Sequence, residues 1–524
     1  MLYPAVFIVL LLPWLNPFAP GPSAAVGPLL FSWACGLAFL GLWAARPSGA
    51  RLVAVAALAW LAAGVLNSSF GVLQYFNLAS VLAPWVDVTL PGEAFGNLRQ
   101  RNQFATLTNM ALAALCWVAL NLARRGVPLA YPPEPGSALA GRGSVLGQRF
   151  SAASVWTCAL AALLAVGNAA SSSRTGLLQL GLLAVLVLWW GGWRQAAVRR
   201  VLVAAVLAYA VALWALPWAL GQDAGSHGLF VRLRGGEQGC SSRRILWANV
   251  LELVAQKPLL GWGWGELDFA HYIHAYAGAR FCEILDNAHN LPLHLAVELG
   301  LPVALTCCAA LGWWLLRQRP WQERHPTRQL AWAVLAIIGL HSLLEYPLWY
   351  GPFQLAVLLC VGLLWRSPTG AVAQKSAKNG PNRGIAAVFI ACTATIFIAV
   401  VSYAGWDYRG VSQIYLDAAE RDPAWREGTL SKVSGTWLFQ NQYRFALLSL
   451  TPLTPANARW TYDTATALLH YAPEPRVVEK VIESATLLGL DEAAVLHLAR
   501  FKAAFAADYA RWVQANANAG KKAP

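Results

Sequence analysis

Long apolar stretches recur through this chain at close to the length that crosses a bilayer, and that pattern excludes almost every soluble fold. A transmembrane helix needs about 20 mostly apolar residues. Candidates lie near residues 2–19, 28–45, 52–66, 104–122, 152–169, 176–193, 201–220, 289–316, 329–344, 353–366 and 385–404. Composition agrees: 12% of the 524 residues are charged, against about 25% in ordinary soluble domains. The 26 tryptophans suit the headgroup level of a membrane. The expected fold is all-α, a polytopic membrane helix bundle of about 11–12 spans. The first apolar run, Leu2 to Leu15, lacks a basic leading region, so it reads as a retained helix rather than a cleaved signal.

The formal net charge of +14 does not point to nucleic acid. The basic residues sit mainly in short loops between apolar runs, where they set topology. One set of loops is basic, with almost no acid beyond Glu134 and Glu323; it carries Arg46 and Arg51, then Arg124, Arg125, Arg142 and Arg149, then Arg194, Arg199 and Arg200, then Arg317, Arg319, Arg324 and Arg328, then Arg366, Lys375, Lys378 and Arg383. The positive-inside rule makes these cytoplasmic. The N-terminus is then inside, and 67–103, 170–175, 221–288, 345–352 and everything after about 405 are outside.

Four regions follow: membrane helices over 1–220, a large outer loop over 221–288, further membrane helices over 289–404, and an outer helical domain over 405–524. Within the last, Val477 to Val513 reads as two amphipathic helices broken at "LGLDEAA", with Gly489 ending the first. Most cysteines lie in spans and read as small apolar fillers. Cys240 and Cys282 both fall in the outer loop, where an oxidising compartment favours their pairing.

The outer side also holds arginines that the positive-inside rule disfavours: Arg101, Arg174, Arg232, Arg234, Arg243, Arg244 and Arg280. A lone arginine at a helix end often only snorkels. As a set, their planar guanidiniums suit bidentate binding of phosphate, so an anionic-ligand site at the outer face is expected. Arg243 to Gln256 has apolar residues at helical spacing, is too short and polar to span, and is stopped by "KPLLGWGWG". It reads as a helix lying in the interface.

The stretch "DNAHNLPLHLAVELG" puts Asp286, His289, His294 and Glu298 at the mouth of an apolar run. The histidine spacing is not the i, i+4 pair of a helical zinc site, and no further ligand set completes one, so no metal is expected. His294 lies deeper and reads as structural. His289 stands at the boundary, where an imidazole can take a proton from an attacking hydroxyl. Asp286 either orients His289 or caps the helix that follows. Apart from His341 and Ser342 near a span end, the polar set lies on one face of the membrane, which argues against a transporter.

The order of an R-x3-W helix start (Arg243 to Trp247), "PLLGWGWG" and "AHNLPLHLAVELGL" resembles the shared core of the O-antigen ligase and polymerase superfamily. "GNLRQRNQFATL" and the tail "RFALLSLTPLTPANARWTYDTATALLHYAPEPRVVEKVIESATLLGLDEAA" resemble the bacterial protein (pilin) O-oligosaccharyltransferase branch. The resemblance implies a bacterial inner-membrane enzyme with its site on the periplasmic face. It implies a glycan donor linked to undecaprenyl diphosphate and no cofactor. The acceptor implied is a Ser or Thr hydroxyl of an exported protein such as a pilin; lipid A–core, as in an O-antigen ligase, or a growing glycan, as in a polymerase, are the alternatives. Carried over by motif, the catalytic positions fall on His289, Arg174 and Arg243. Substrate-binding positions fall on Gln100 and Tyr346, with Tyr350 an alternative to the latter; Arg101 and Asn102 adjoin Gln100, and Arg244 competes with Arg243.

Overall fold

The computed structural model describes residues 2–44, 49–125, 152–223, 228–234, 239–366 and 383–520. Arg46, Glu134, Arg142, Arg149, Lys375 and Lys378, on which part of the topology reading rests, lie outside them. The described residues are helical and contain no strand. In the first half the helices are α1 (Leu2–Leu11), α2 (Val26–Ala44), α3 (Gly49–Tyr75), α4 (Arg101–Arg125), α5 (Ala152–Ala170), α6 (Arg174–Trp189) and α7 (Ala196–Ala219). The stretch 221–288 holds α8 (Gly228–Arg234), α9 (Arg243–Gln256) and α10 (Leu267–Ile273). Then come α11 (Leu291–Leu299), α12 (Leu301–Gln318), α13 (Pro326–Ser342), α14 (Gly351–Arg366) and α15 (Arg383–Ser412). The tail adds α16 (Thr429–Val433), α17 (Gln440–Leu450), α18 (Ala458–Leu468), α19 (Pro475–Leu487), α20 (Asp491–Ala504) and α21 (Ala506–Gly520).

The chain is an all-α polytopic membrane protein. By length and composition α2, α3, α4, α5 and α7 can each cross a membrane, and α1, α6 and α14 are shorter apolar helices. At the centre stands α4, packed against α3, α5, α6, α7 and α13. Its first turns are polar yet buried: Gln103, Thr106, Thr108 and Asn109 are at most 3% exposed. Polar groups so placed must find partners inside the protein, and they hold the site described below. α6 comes close because residue 176 is glycine; a Cβ there would collide with Asn168 and Ala105.

α1 stops at Leu11 rather than near 19 and α15 runs to Ser412 rather than 404, and two further departures from the hydropathy reading have a visible cause. α3 does not stop near residue 66 but runs on to Tyr75. The polar residues that ended the apolar run are bonded within the protein: Asn67 Nδ2 donates to the Trp14 carbonyl (3.0 Å), and Gln74 Nε2 to those of Asp87 and Gly96 (both 2.8 Å). The expected span 289–316 is two helices, broken at Gly300, whose φ is +86°. "PLLGWGWG" explains the break. Trp262 N–H donates to the Val297 carbonyl (2.8 Å), Gly263 N–H to that of Glu298 (3.0 Å), and Leu301 N–H to that of Pro258 (2.8 Å). The loop thus satisfies backbone groups that a helix break leaves open. A Cβ on residue 300 would drive into the backbone of Leu259. Gly300→Ala is therefore expected to cost about 2 kcal/mol or more through strain at this φ, read as a lower Tm of the solubilised protein.

α9 forms with the expected bounds, Arg243–Gln256. The apolar stripe that suggested contact with lipid is spent on protein instead. Leu246, Val250, Leu253 and Val254 are buried with Leu267, Phe281, Leu285, Ala288 and Val297 in a core of their own. Cys240 and Cys282 are joined in a disulfide, as expected.

In the tail, α19 and α20 appear on either side of Gly489 (φ +69°), as the pattern predicts. The second helix, however, breaks again at Phe505. The Phe505 ring meets Tyr272 and Phe501, and α21 folds back to set Tyr509 and Trp512 against Phe501. The tail also packs directly on the loop. Tyr272 Oη and His497 Nδ1 are 2.9 Å apart, and His470 stacks on Phe269 at 3.7 Å.

Candidate active site

Four helix starts carry the residues singled out from sequence, each fixed by a side-chain cap. Gln100 Oε1 accepts from Gln103 N–H (2.7 Å) at the start of α4. Ser173 Oγ accepts from Gly176 N–H (2.9 Å) at α6, Ser242 Oγ from Ile245 N–H (3.3 Å) at α9, and Asn290 Oδ1 from Leu293 N–H (3.1 Å) at α11. Arg101, Arg174 and Arg243 are the first residues of their helices, and His289 precedes its cap by one. The positive ends of α4, α6 and α9 border one cavity of about 370 Å³, a favourable place for an anion.

That cavity is lined by Arg99, Arg101, Arg174, Arg232 and Arg243, with Gln100 and Asn102, against two carboxylates, Glu93 and Glu345. Glu93 pairs with Arg101 at 3.2 Å. Arg232 is pushed down to about 10 by desolvation and by the neighbouring charges of Arg101 and Arg174. Crowded cations of this kind are stabilised by a polyanion between them. Arg243 and Arg244 separate here: Arg243 faces this cavity, whereas Arg244 is exposed and lines a neighbouring open one of about 710 Å³. Arg174 and Arg243 stand on the wall between the two.

Glu345, only 7% exposed, is the hub. Its Oε1 accepts from Arg243 Nη2 and from Asn102 Nδ2 (3.0 Å), and its Oε2 lies 2.8 Å from His289 Nδ1. Burial pushes the Glu345 carboxyl up, but the His289 hydrogen bond and the charges of His289 and Arg243 outweigh it, so it stays below the ordinary carboxylate range. An ionised Glu345 accepts the Nδ1 proton, which leaves the His289 Nε2 lone pair as a base. His289 itself adopts φ +50°, held by its N–H to Asn287 Oδ1 (2.8 Å). Non-glycine residues seldom adopt this region, and it clusters at functional sites.

Tyr346 presents its ring edgewise to His289 at 5.1 Å and stacks on Tyr350 at 6.1 Å. Burial first, then the nearby Tyr350, Asp286 and Glu345, pushes the Tyr346 phenol well above its usual value, so it remains a neutral donor. His294 is 1% exposed, 3.3 Å from Glu298 and against the Trp349 ring, a packed position. Asn290 rather than Asp286 caps α11, and the His289 ring bonds to Glu345, with Asp286 close enough to feel the His289 charge. Among the described residues no group of three or more His, Cys, Asp or Glu could hold a metal ion. Sequence reasoning marks Glu345 beside Tyr346 in the polar set but gives it no role. The available signal was a single acid in "HSLLEYPLWYG", one helical turn after His341.

Residues 159–308 match the O-antigen ligase family, residues 94–118 a protein glycosylation ligase family, and residues 329–519 the C-terminal part of the virulence factor membrane-bound polymerases. These matches support a likeness to the O-antigen ligase superfamily. Among similar proteins, a general O-oligosaccharyltransferase of Acinetobacter baylyi is 23% identical over 410 residues, 68% of each chain. A ComP-specific O-oligosaccharyltransferase of the same organism is 30% identical over 136 residues, 26% of this chain and 24% of that one. No solved structure matches. Within the superfamily these relatives mark the O-oligosaccharyltransferase branch, and the protein is an oligosaccharyltransferase-like enzyme. The matched regions divide the site. Arg174, Arg243 and His289 fall in the O-antigen ligase match, Gln100 to Asn102 in the glycosylation ligase match, and Glu345 and Tyr346 in the polymerase match.

Proposed function

We propose that this enzyme transfers a preassembled glycan from undecaprenyl diphosphate to a Ser or Thr hydroxyl of an exported protein such as a pilin. The reaction takes place at the periplasmic face of the bacterial inner membrane and needs no metal. The observation that carries the reading is Glu345 joining a base, His289, to a phosphate-binding type of cation, Arg243, at the edge of an arginine-lined cavity.

The acceptor O–H gives its proton to His289 Nε2 as its oxygen bonds to the anomeric carbon of the glycan. The bond from that carbon to the diphosphate oxygen breaks, and its electron pair leaves with the lipid diphosphate. Arg174 and Arg243 stabilise the charge that develops there. Glu345 keeps the Nδ1 proton of His289 in place and balances the imidazolium while it lasts. Direct displacement inverts the anomeric configuration. Gln100, Arg101, Asn102, Arg244 and Tyr346 hold substrate around these groups.

The acceptor is decided with purified full-length protein, an undecaprenyl-diphosphate-linked oligosaccharide, and either a pilin or lipid A–core. Glycan on the pilin, unchanged by a divalent-metal chelator, is the expected result. Glycan on lipid A–core alone would make the protein an O-antigen ligase, and loss with chelator restored by added divalent ion would overturn metal independence.

A further inference from the structure

Beneath Glu345 lies a group of buried polar side chains that the proposed reaction does not touch. Thr106, Gln179 and His341 are at most 1% exposed and sit on three different helices, α4, α6 and α13. Gln179 Nε2 is 2.8 Å from Thr106 Oγ1, and His341 Nδ1 is 2.9 Å from the same oxygen. A second set lies one turn nearer the cavity on the same three helices or their ends. Ser173 Oγ donates to Asn102 Oδ1 (2.6 Å), and Asn102 Nδ2 donates to Glu345 Oε1 (3.0 Å). Asn102 and Thr106 are four residues apart on one side, and His341 and Glu345 four apart on the other. Glu345 N–H also donates to the His341 carbonyl (2.8 Å). The two sets are parallel rungs between α4 and α13.

Hydrogen-bond accounting fixes the lower rung. A hydroxyl has one donor and two acceptor sites. Thr106 Oγ1 lies 2.7 Å from the Asn102 carbonyl and 3.2 Å from Gln179 Oε1, and the shorter bond takes its proton. It therefore accepts from the Gln179 amide and from His341 Nδ1–H, and both acceptor sites are filled. His341 Nε2 is buried with no partner, which suits a bare lone pair and a neutral ring. Gln179 Nε2 further reaches the Ile337 carbonyl on α13 (3.1 Å). In apolar surroundings such polar pairs fix helix register, because sliding by one residue leaves every member unsatisfied.

We infer that Thr106, Gln179 and His341 are positioning residues: their rung sets the register of α13 against α4 and so places Glu345 to hold His289 and Arg243. The inference rests on the catalytic reading above. None of the three touches the cavity, so their effect passes through Glu345.

The test uses the full chain in lipid nanodiscs with the lipid-linked donor and pilin, and the variants Thr106→Val, Thr106→Ser, Glu345→Gln and the Thr106→Val/Glu345→Gln pair. Valine matches threonine in shape and lacks the hydroxyl. Thr106→Val is expected to lower kcat about tenfold with donor KM little changed, and Thr106→Ser to restore it. The double variant is expected to be no slower than Glu345→Gln alone, since residues acting through one group are not additive. A Thr106→Val enzyme with unchanged kcat, or a fully additive double variant, would overturn the inference and leave the catalytic reading intact. Amide hydrogen exchange over residues 341–350 needs no substrate. It should rise about tenfold in Thr106→Val and not in Thr106→Ser; equal exchange in wild type and Thr106→Val overturns the inference whatever the transfer assay gives. If exchange responds as expected while wild type glycosylates no protein, the acceptor reading fails and the positioning role stands.

Discussion

His289→Ala is expected to lower kcat by about 10³-fold, within the 10²–10⁴-fold range of a positioned general base, while leaving donor binding nearly unchanged. The split follows from the geometry. The cations that would meet the diphosphate, Arg174 and Arg243, stand at the starts of α6 and α9, and Arg243 is bonded to Glu345. The imidazole is held by Glu345 at 2.8 Å and by the backbone bond to Asn287. Removing it leaves the cavity walls standing and takes away only the proton acceptor. His289→Gln tests the same point with less loss of volume: it can hydrogen-bond but cannot take the proton, so it should be nearly as slow. Steady-state transfer with varied donor measures both constants. A His289→Ala enzyme that keeps full kcat removes the base from the mechanism, and one that loses donor binding first makes His289 a substrate contact.

Much of this site was legible from sequence because its residues sit where local chemistry announces a helix start. Ser173-Arg174, Ser242-Arg243 and His289-Asn290 each couple a capping residue to a candidate site residue, and the arginines in loops expected to lie outside were conspicuous against the positive-inside rule. The disulfide was legible because both cysteines fall in one compartment. What escaped depends on distance along the chain. Glu345 meets His289 and Arg243 across 56 and 102 residues, and no spacing pattern links positions so far apart. The choice between Arg243 and Arg244 needed the phase of α9 within the fold. The break at Gly300 was hidden because apolar residues continue across it, and hydropathy is blind to the loop that satisfies its backbone. The length of α3 was hidden for the opposite reason: Asn67 and Gln74 look like an end of helix until their partners are known. In the tail the hinge at Phe505 is made by contacts with Tyr272 and Phe501, one of them from another region.

Glu345→Ala should be the more damaging change for the whole site, because three groups depend on one carboxylate. His289 loses the acceptor that fixes its tautomer, Asn102 loses its bond, and Arg243 loses its pairing with this carboxylate. Breaking one side of a largely buried ion pair costs about 3–5 kcal/mol, so both a lower Tm and a kcat reduced about 10²-fold or more are expected. Glu345→Gln keeps the shape and the bond to Asn102 but removes the charge, and its signature is in pH. The folded pKa of Glu345 lies below its ordinary value of 4.5. A depressed carboxyl stabilises the fold fully above the unfolded pKa, and that stabilisation is lost as pH falls through the folded one. Wild type should therefore exceed Glu345→Gln in Tm by a constant margin from about pH 6 to 8, and the margin should shrink as pH drops below about 4.5. A margin that grows on acidification would mean that Glu345 is protonated in the fold, and would take the proposed hold on His289 Nδ1 with it.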